Sequence, residues 1–469
     1  MSTFGGLNTA LSGLNAARTG INTTAQNLGN VNTPGYTRQR AELSAVGVPA
    51  RGALNDLGIR TGQGVGVTGI SRLGDAFLDA RVRTSFSAAG YTGARAQALA
   101  DIEGTLNEPG PTGISSQLQG LWTSWQGVAN SPGEAAPSAV LLEKSATLVA
   151  SIAAGYSAMD SQWSQTRANA NAVAQDINST ATQVASLNKG IRSAAAAGTP
   201  HNELIDQRNA LTTKIANLTG GTTRDLPDGT NEILLGGNVL LSGSSSNEVK
   251  LAGPGKMSDG GTVQLEWAHR PGAAVELDGG KLAGLLSVLK PAAEGGVIAQ
   301  TAASYNTLAQ KLADTVNGVH QDGLTPDGTT GHAFFEFKAG VPAALGLAVV
   351  PKDASGIAAG KPGVGGKDGS LAEDISQLGM GPGSPDKMWS ETVVSLGVEI
   401  QGGLQQAVLS DVSLTNALGN QQANASVDID EENVNLLAFQ HAYQAAARVM
   451  TAVDEALDVL INQTGRVGR

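Results

Sequence analysis

Heptad-spaced apolar rows at both ends of the chain constrain its fold more than any other feature. From the N-terminus, Phe4, Leu7, Leu11, Leu14, Arg18, Ile21, Ala25 and Leu28 recur at spacings of three and four. Arg18 is the one break, and Ala17 beside it can close the row. Near the C-terminus, Leu436, Phe439, Tyr443, Ala446, Met450, Val453, Leu457 and Leu460 repeat the pattern. Narrow rows of period 3.5 predict a supercoiled helix pair in preference to helices lying on a broad core. Two ordinary amphipathic helices in separate bundles would leave the same trace, and pattern alone keeps both readings open. Asp428 followed by Glu431 predicts a capping box that opens the tail helix. Residues 1–45 carry three arginines and one glutamate, and residues 428–469 carry seven acids and three arginines. Opposite signs favour pairing of the two ends, although exposed charges add little energy.

A chain of 469 residues exceeds what one ordinary core serves, which predicts two or more domains. Asn32-Thr33-Pro34-Gly35-Tyr36 is turn chemistry, and Gly64-Val65-Gly66-Val67 reads as a short hairpin. Residues 70–196 read as helical. A row from Met159 and Trp163 through Val173, Ile177 and Val184 to Ile191 predicts a helix of roughly 45–50 Å at 1.5 Å per residue. A further helix is expected at about 202–218. Strands follow over 220–280, where Val263, Leu265 and Trp267 alternate with Gln264 and Glu266. The expected fold is therefore a multidomain α+β protein. Residues 1–45 and 427–469 form a terminal coiled coil. Residues 46–219, 281–320 and 386–426 form a helical bundle body with a short β-hairpin region. Residues 220–280 and 321–385 form an inserted β-rich outer domain.

Candidate chemistry is thin. The net charge of −11 disfavours nucleic acid or an anionic membrane as the main partner. Cysteine is absent, which removes disulfides, thiolate metal sites and cysteine nucleophiles. The N-terminal residues lack the pattern of a signal peptide. The longest strongly apolar charge-free stretch, Ala339 to Val350, is too short to span a membrane and contains Pro342. Gly64 to Gly69 matches G-x-G-x-x-G, yet Asp56 to Thr61 before it is no hydrophobic strand and Asp79 comes too early to serve a ribose. A glycine-rich hairpin leading into a helix is the better reading. Asp428 to Asn433 lacks the glycine a calcium loop needs at its sixth position. The histidines at 201, 269, 320, 332 and 441 are scattered, and Trp122 and Trp125 read as core or contact residues. No catalytic residue, metal ligand or cofactor is expected.

The most specific signal is a family likeness. Gln26-Asn27-Leu28-Gly29-Asn30-Val31-Asn32-Thr33-Pro34-Gly35-Tyr36-Thr37-Arg38-Gln39 resembles the N-terminal signature of bacterial flagellar rod, hook and hook-associated proteins. Val427 to Gln463, with Asp430-Glu431-Glu432, Asn435-Leu436 and Gln440 to Ala445, resembles their C-terminal signature. The ending Tyr36 to Gln39 is similar to the hook-associated protein 1 version. So are Gly279 to Leu286, Leu308-Ala309 with Val316 to His320, and Gly331 to Phe335, in that order. Gly29 departs from the pattern, standing where relatives usually have Ala or Ser, and Gly465 to Arg469 extend past the tail seam.

The resemblance implies a non-enzymatic structural part, a ring of identical subunits joining hook to filament. Hook protein would lie below and a second junction protein above, with an export chaperone at the C-terminal helix. It also implies a secreted flagellar location, reached without a cleaved signal by unfolded export through the flagellar type III apparatus and followed by folding on assembly. Neither nucleic acid nor membrane is an implied partner. The candidate subunit-contact residues are Leu7, Leu11, Leu14, Ile21 and Leu28 with Leu436, Phe439, Tyr443, Met450, Val453, Leu457 and Leu460. The signature turn is Asn32, Thr33, Pro34, Gly35 and Tyr36. Another axial protein, of hook or distal rod, and an enzyme are the competing readings; tight retention of a cofactor or metal would mark the latter.

Overall fold

The computed structural model describes residues 3–47, 62–365 and 367–463, with side chains from residue 5 to 462. The Phe4 side chain, Asp56 to Thr61 and the Gly465 to Arg469 tail lie outside the described residues. Helix α1 (Thr3–Gly29) opens the chain. Strands β1 (Gln39–Ala45) and β2 (Val65–Arg72) then pair antiparallel, so the G-x-G-x-x-G segment enters and forms part of a hairpin. Asp75 caps α2 (Ala76–Leu106) by accepting the Phe77 and Leu78 amides. Helix α3 (Ile114–Asn130) carries Trp122 and Trp125, both buried.

Helix α4 (Ala135–Ala196) has 62 residues, roughly 93 Å at 1.5 Å per residue. It is longer than its Met159–Ile191 row implies because Leu141, Ser145, Leu148, Ile152 and Tyr156 carry the buried stripe back toward its start. Pro137 falls in the first turn, where a missing N–H costs nothing. By length and composition α4 also contains a stretch apolar enough to cross a membrane, which corrects the expectation drawn from Ala339 to Val350. Leu141, Leu148 and Ile152 on its inner stripe are nevertheless fully buried inside the protein.

After α5 (Asn202–Thr219), two antiparallel sheets lie on α4. One orders β3 (Thr222–Asp225), β4 (Asn231–Leu235), β5 (Asn238–Ser242) and β6 (Ser245–Ser246). The other orders β7 (Val249–Ala252), β8 (Gln264–Trp267) and β9 (Arg270–Ala274). Asn178 of α4 clamps β7 by donating to the Val249 carbonyl at 2.8 Å and accepting its amide at 2.9 Å. The fully buried Asn188 treats Asn231 similarly, at 3.1 and 3.2 Å. Helices α6 (Gly280–Leu289) and α7 (Val297–His320) follow. The stretch expected to be β-rich after residue 320 contains little regular structure. Among the described residues it has β10 (Phe335–Phe337) paired with β11 (Leu347–Val349), the short α8 (Ala343–Gly346) and α9 (Ser370–Ser376), two 3-10 turns and isolated bridges at Leu324.

Ser384 accepts the Lys387 amide and Pro385 takes the first position of α10 (Pro385–Ala425), which leads to α11 (Ile429–Asp458) and a final π turn to Gln463. Leu99, Trp125, Leu141, Ile177, Ile233, Leu265, Leu285, Leu312 and Trp389 belong to one continuous buried cluster. Strands β4, β5, β7, β8, β10 and β11 thus share the core of the body helices, while the described residues of α1, α11 and the β1–β2 hairpin add none to it.

Candidate assembly site

Helices α1 and α11 run antiparallel in contact. A Cβ placed on Gly6, Gly13 or Gly20 would lie 3.5 Å from Val453, 3.7 Å from Ala446 and 2.5 Å from the Phe439 ring. The α11 side of this contact is the tail row. Leu436, Phe439, Ala446, Met450, Val453 and Leu457 are half-buried, while Tyr443 and Leu460 are the more open members. The α1 side is a row of small and polar residues (Gly6, Ala10, Gly13, Ala17, Gly20, Thr24 and Asn27) displaced by one position from the leucine row. Bulky groups on one helix require small ones opposite if the backbones are to approach closely. Leu7, Leu14, Ile21 and Leu28 are consequently only half-buried on the flank, and Leu11 is 45% exposed.

The signature segment ties this helix pair to the body. Asn30 accepts the Thr33 amide, Thr33 accepts the Tyr36 amide, and Gly35 takes φ 78°, a left-handed conformation that glycine adopts without strain. Asn32 to Gly35 are exposed at this turn. It folds the chain back so that Tyr36 donates to Asn27 Oδ1 at 2.8 Å and the Gln39 amide donates to the same oxygen at 3.0 Å. Asn27 Nδ2 donates in turn to the Gln39 carbonyl at 2.8 Å and to Glu432 Oε2 at 3.0 Å. All four hydrogen-bonding positions of this buried amide are filled.

Arg38 bridges the two ends. Its Nε donates to Glu432 Oε1 at 2.7 Å, and its two Nη groups hold Glu431 at 2.8 and 2.7 Å. Asp428 caps α11 through the Asp430 and Glu431 amides; the Glu431 side chain, instead of completing the expected capping box, reaches Arg38. Bonding to Glu431 holds the Arg38 guanidinium above its ordinary pKa, and bonding to Arg38 holds the Glu431 carboxyl below its own.

A second set of contacts fixes the segment to the body. Asp206 of α5 accepts from the Thr37 amide at 3.2 Å and from Arg72 Nε at 2.8 Å. Burial pushes the Asp206 carboxyl up, outweighing Arg72 and Thr37. Burial, reinforced by Asp206, Glu203 and Glu432, pushes the Tyr36 hydroxyl up to about 12, so it remains a hydrogen-bond donor throughout the neutral range. Asn202 links Gln39 to the Ile70 carbonyl. At the α10–α11 joint, the Arg38 amide donates to the Ala425 carbonyl at 2.9 Å.

Sequence patterns located Arg38 and the turn. The C-terminal signature also contained Glu432; Asn202, Glu203, Asp206 and Arg72 were missed, because polar partners far apart in sequence leave no periodic trace. Each acid of this cluster is engaged by a cation or an amide. Among the described residues, no three His, Asp or Glu side chains converge as metal ligands. His320, the buried member of the scattered histidines, bonds only backbone groups, at His332 and Ala358. Mechanically, the arrangement is a joint between a terminal helix pair and a helical body.

Comparison with known proteins agrees with this geometry. Residues 7–37 match the flagella basal body rod protein family, and residues 423–463 match the flagellar basal body rod FlgEFG protein C-terminal family. Residues 99–335 match the flagellar hook-associated protein FlgK helical domain, which distinguishes this chain from hook and rod proteins sharing only the ends. The chain is 30% identical to flagellar hook-associated protein 1 of Bacillus subtilis (strain 168) over the full length of both. It is 28% identical to the Escherichia coli (strain K12) protein of that name over 72% of this chain and 61% of that one. The solved structure of the flagellar hook junction protein FlgK from Burkholderia pseudomallei shares the fold. Its TM-score is 0.61 at 15% identity, and the match covers 76% of this chain and all of the other. The chain belongs to the flagellar hook-associated protein 1 family, structural proteins of the bacterial flagellum.

Proposed function

We infer that copies of this chain form the ring joining flagellar hook to filament, with the α1–α11 pair as a coiled coil at the ring's inner wall. The observation that carries this reading is the open leucine flank of α1. Leu7, Leu11, Leu14, Ile21 and Leu28 border the α11 contact without being covered by it. Such a row is marginal in water and gains stability by packing against the next copy. Leu436, Phe439, Tyr443, Met450, Val453, Leu457 and Leu460 supply the facing half within each chain and contact neighbours where they remain open. The signature turn and the Arg38–Glu431–Glu432 bridge then transmit load from the pair into the body. Hook protein below, a second junction protein above and a cytoplasmic chaperone at α11 are the partners this role calls for. Passage through the type III channel unfolded, with the terminal pair completed on assembly, is consistent with a chain free of disulfides. The role is structural, without catalysis, in the extracellular flagellum.

Leu11→Asp tests the seam. Its side chain is already part-exposed, so the free chain should keep its melting temperature within a degree or two, as an uncoupled surface change does. Incorporation should fail, leaving hooks without filaments and filament subunits in the medium. Normal filaments on the variant would remove the leucine flank from the assembly surface.

A further inference from the structure

Helix α10 is apolar on two opposite faces. Its inner face buries Trp389, Leu396, Ile400, Ser410 and Ala417, with Gly403 close against Leu99. Diametrically opposite, Val394, Val398, Val408 and Val412 are 63, 69, 62 and 53% exposed, with exposed Gln401 and Gln405 between them. Solvent gives no reason for this choice: valine is a poor helix former and gains nothing when left in water. Helices apolar all round belong between two layers.

The row specifies its partner. Val394, Val398, Gln401, Gln405, Val408 and Val412 recur at spacings of four and three, the register of a coiled-coil seam. Their order is also a palindrome about Gly403. The valines lie nine and five residues to either side of it, and the glutamines two. Laid antiparallel on a second copy of itself, the row sets valine on valine and glutamine on glutamine. Two amides can each donate to and accept from the other, which fixes the register. The acids of the helix also avoid one another, since Asp386, Glu391, Glu399 and Asp411 mirror onto Asn420, Thr415, Ala407 and Ser395. In a chain of net charge −11, Asp411 is the one charged residue between 400 and 425, so like-charged copies can approach there.

We propose that the free chain forms a two-fold dimer through the outer face of α10, antiparallel about Gly403. A head-to-tail ring places neighbours in one orientation, whereas this isologous contact inverts them. The dimer therefore lies outside the ring and holds chains in a form that cannot polymerise. The inference does not depend on the ring reading.

Sedimentation velocity of the full chain, over concentrations into the hundred-micromolar range, provides the first measurement. Wild type should shift from monomer to dimer, and Val398→Glu should raise the dissociation constant by about a hundredfold with unchanged circular dichroism. Orientation is read by crosslinking, for which the cysteine-free chain offers a silent background. Chains carrying Val394→Cys mixed with chains carrying Val412→Cys should form a disulfide-linked dimer, while each variant alone should not. A wild type that stays monomeric throughout, or Val394→Cys linking to itself as a parallel pair would, overturns the proposal. Because the assay uses purified chain, its outcome is independent of whether Leu11→Asp blocks filament growth.

Discussion

At Gly20 the terminal pair leaves no room for a side chain, since three atoms of the Phe439 ring lie 2.5 to 2.7 Å from where a Cβ would stand. Gly13, two turns away on the same face, would place its Cβ at an ordinary 3.7 Å from Ala446. Alanine gains about 1 kcal/mol of helix propensity over glycine, while forcing a core contact apart costs about 1–3 kcal/mol. Gly20→Ala should therefore loosen α1 from α11, and Gly13→Ala should hold or tighten it. Amide hydrogen exchange along α1 distinguishes the two, and equal protection in both variants would refute the assigned packing. The Arg38 bridge permits a similar contrast. Arg38→Ala strands Glu432, which is 2% exposed, and removing one partner of a buried pair costs roughly 3 kcal/mol. Glu431 is 57% exposed in its side chain, and Glu431→Ala should barely move the melting curve. If both variants melt alike, the bridge is a surface contact and not a structural bolt.

Among the elements, helices were the readable part. Apolar periodicity located α5 and α11 closely and the C-terminal half of α4, because each buries large apolar residues on one stripe. The α1 contact was displaced by one position for a physical reason. Glycine, alanine and threonine carry almost no hydrophobic signal, yet they form the face that admits Phe439 and Val453. Residues 321–385 were expected to belong to a β-rich domain, and nothing in their pattern indicates that they wrap a buried histidine. His320, at the end of α7, donates from Nδ1 to the His332 carbonyl at 2.6 Å and accepts at Nε2 from the Ala358 amide at 2.9 Å. Trp125 and Phe334 pack edge-on and His332 is nearby. Burial pushes the His320 pKa down, with His332 adding to the effect and the bond to its carbonyl opposing it. Between the lowered folded value and the ordinary 6.5, the unfolded chain binds the extra proton, so this term makes stability rise with pH. Acidification below about pH 6.5 should destabilise the native chain, with the loss levelling off below the folded value. In His320→Gln that part of the slope should vanish from melting curves taken between pH 4 and 7, although the variant is less stable overall. An unchanged slope would place the pH sensitivity elsewhere.

For the whole molecule, the decisive fact is that the sheets after α5 share one core with the body helices. An inserted domain with a core of its own could be exchanged for a linker at small cost, because loop closure grows only slowly with length. The strands after α5 lack that independence. Ile233, Leu235, Leu240, Leu241, Val249, Val263, Leu265 and Trp267 are all buried in the cluster that contains Ile177, Val184 and Leu289. The Asn178 and Asn188 amides of α4 meanwhile satisfy backbone groups of β7 and β4. Replacing residues 222–275 with a short Gly/Ser linker would uncover one length of α4. It would also orphan two amides, at about 25 cal/mol per Å² of apolar area and about 1–3 kcal/mol per unsatisfied group. Those terms together rival the whole stability of an ordinary domain. The shortened chain should lose its single cooperative melting transition by circular dichroism and bind a hydrophobic dye, as expanded states do. Replacing residues 256–261, a surface turn around Met257 with little buried, is the matched control and should leave the transition intact. If the larger replacement melts as cooperatively as the control, the strands are a separable domain after all, and the shared cluster is contact without dependence.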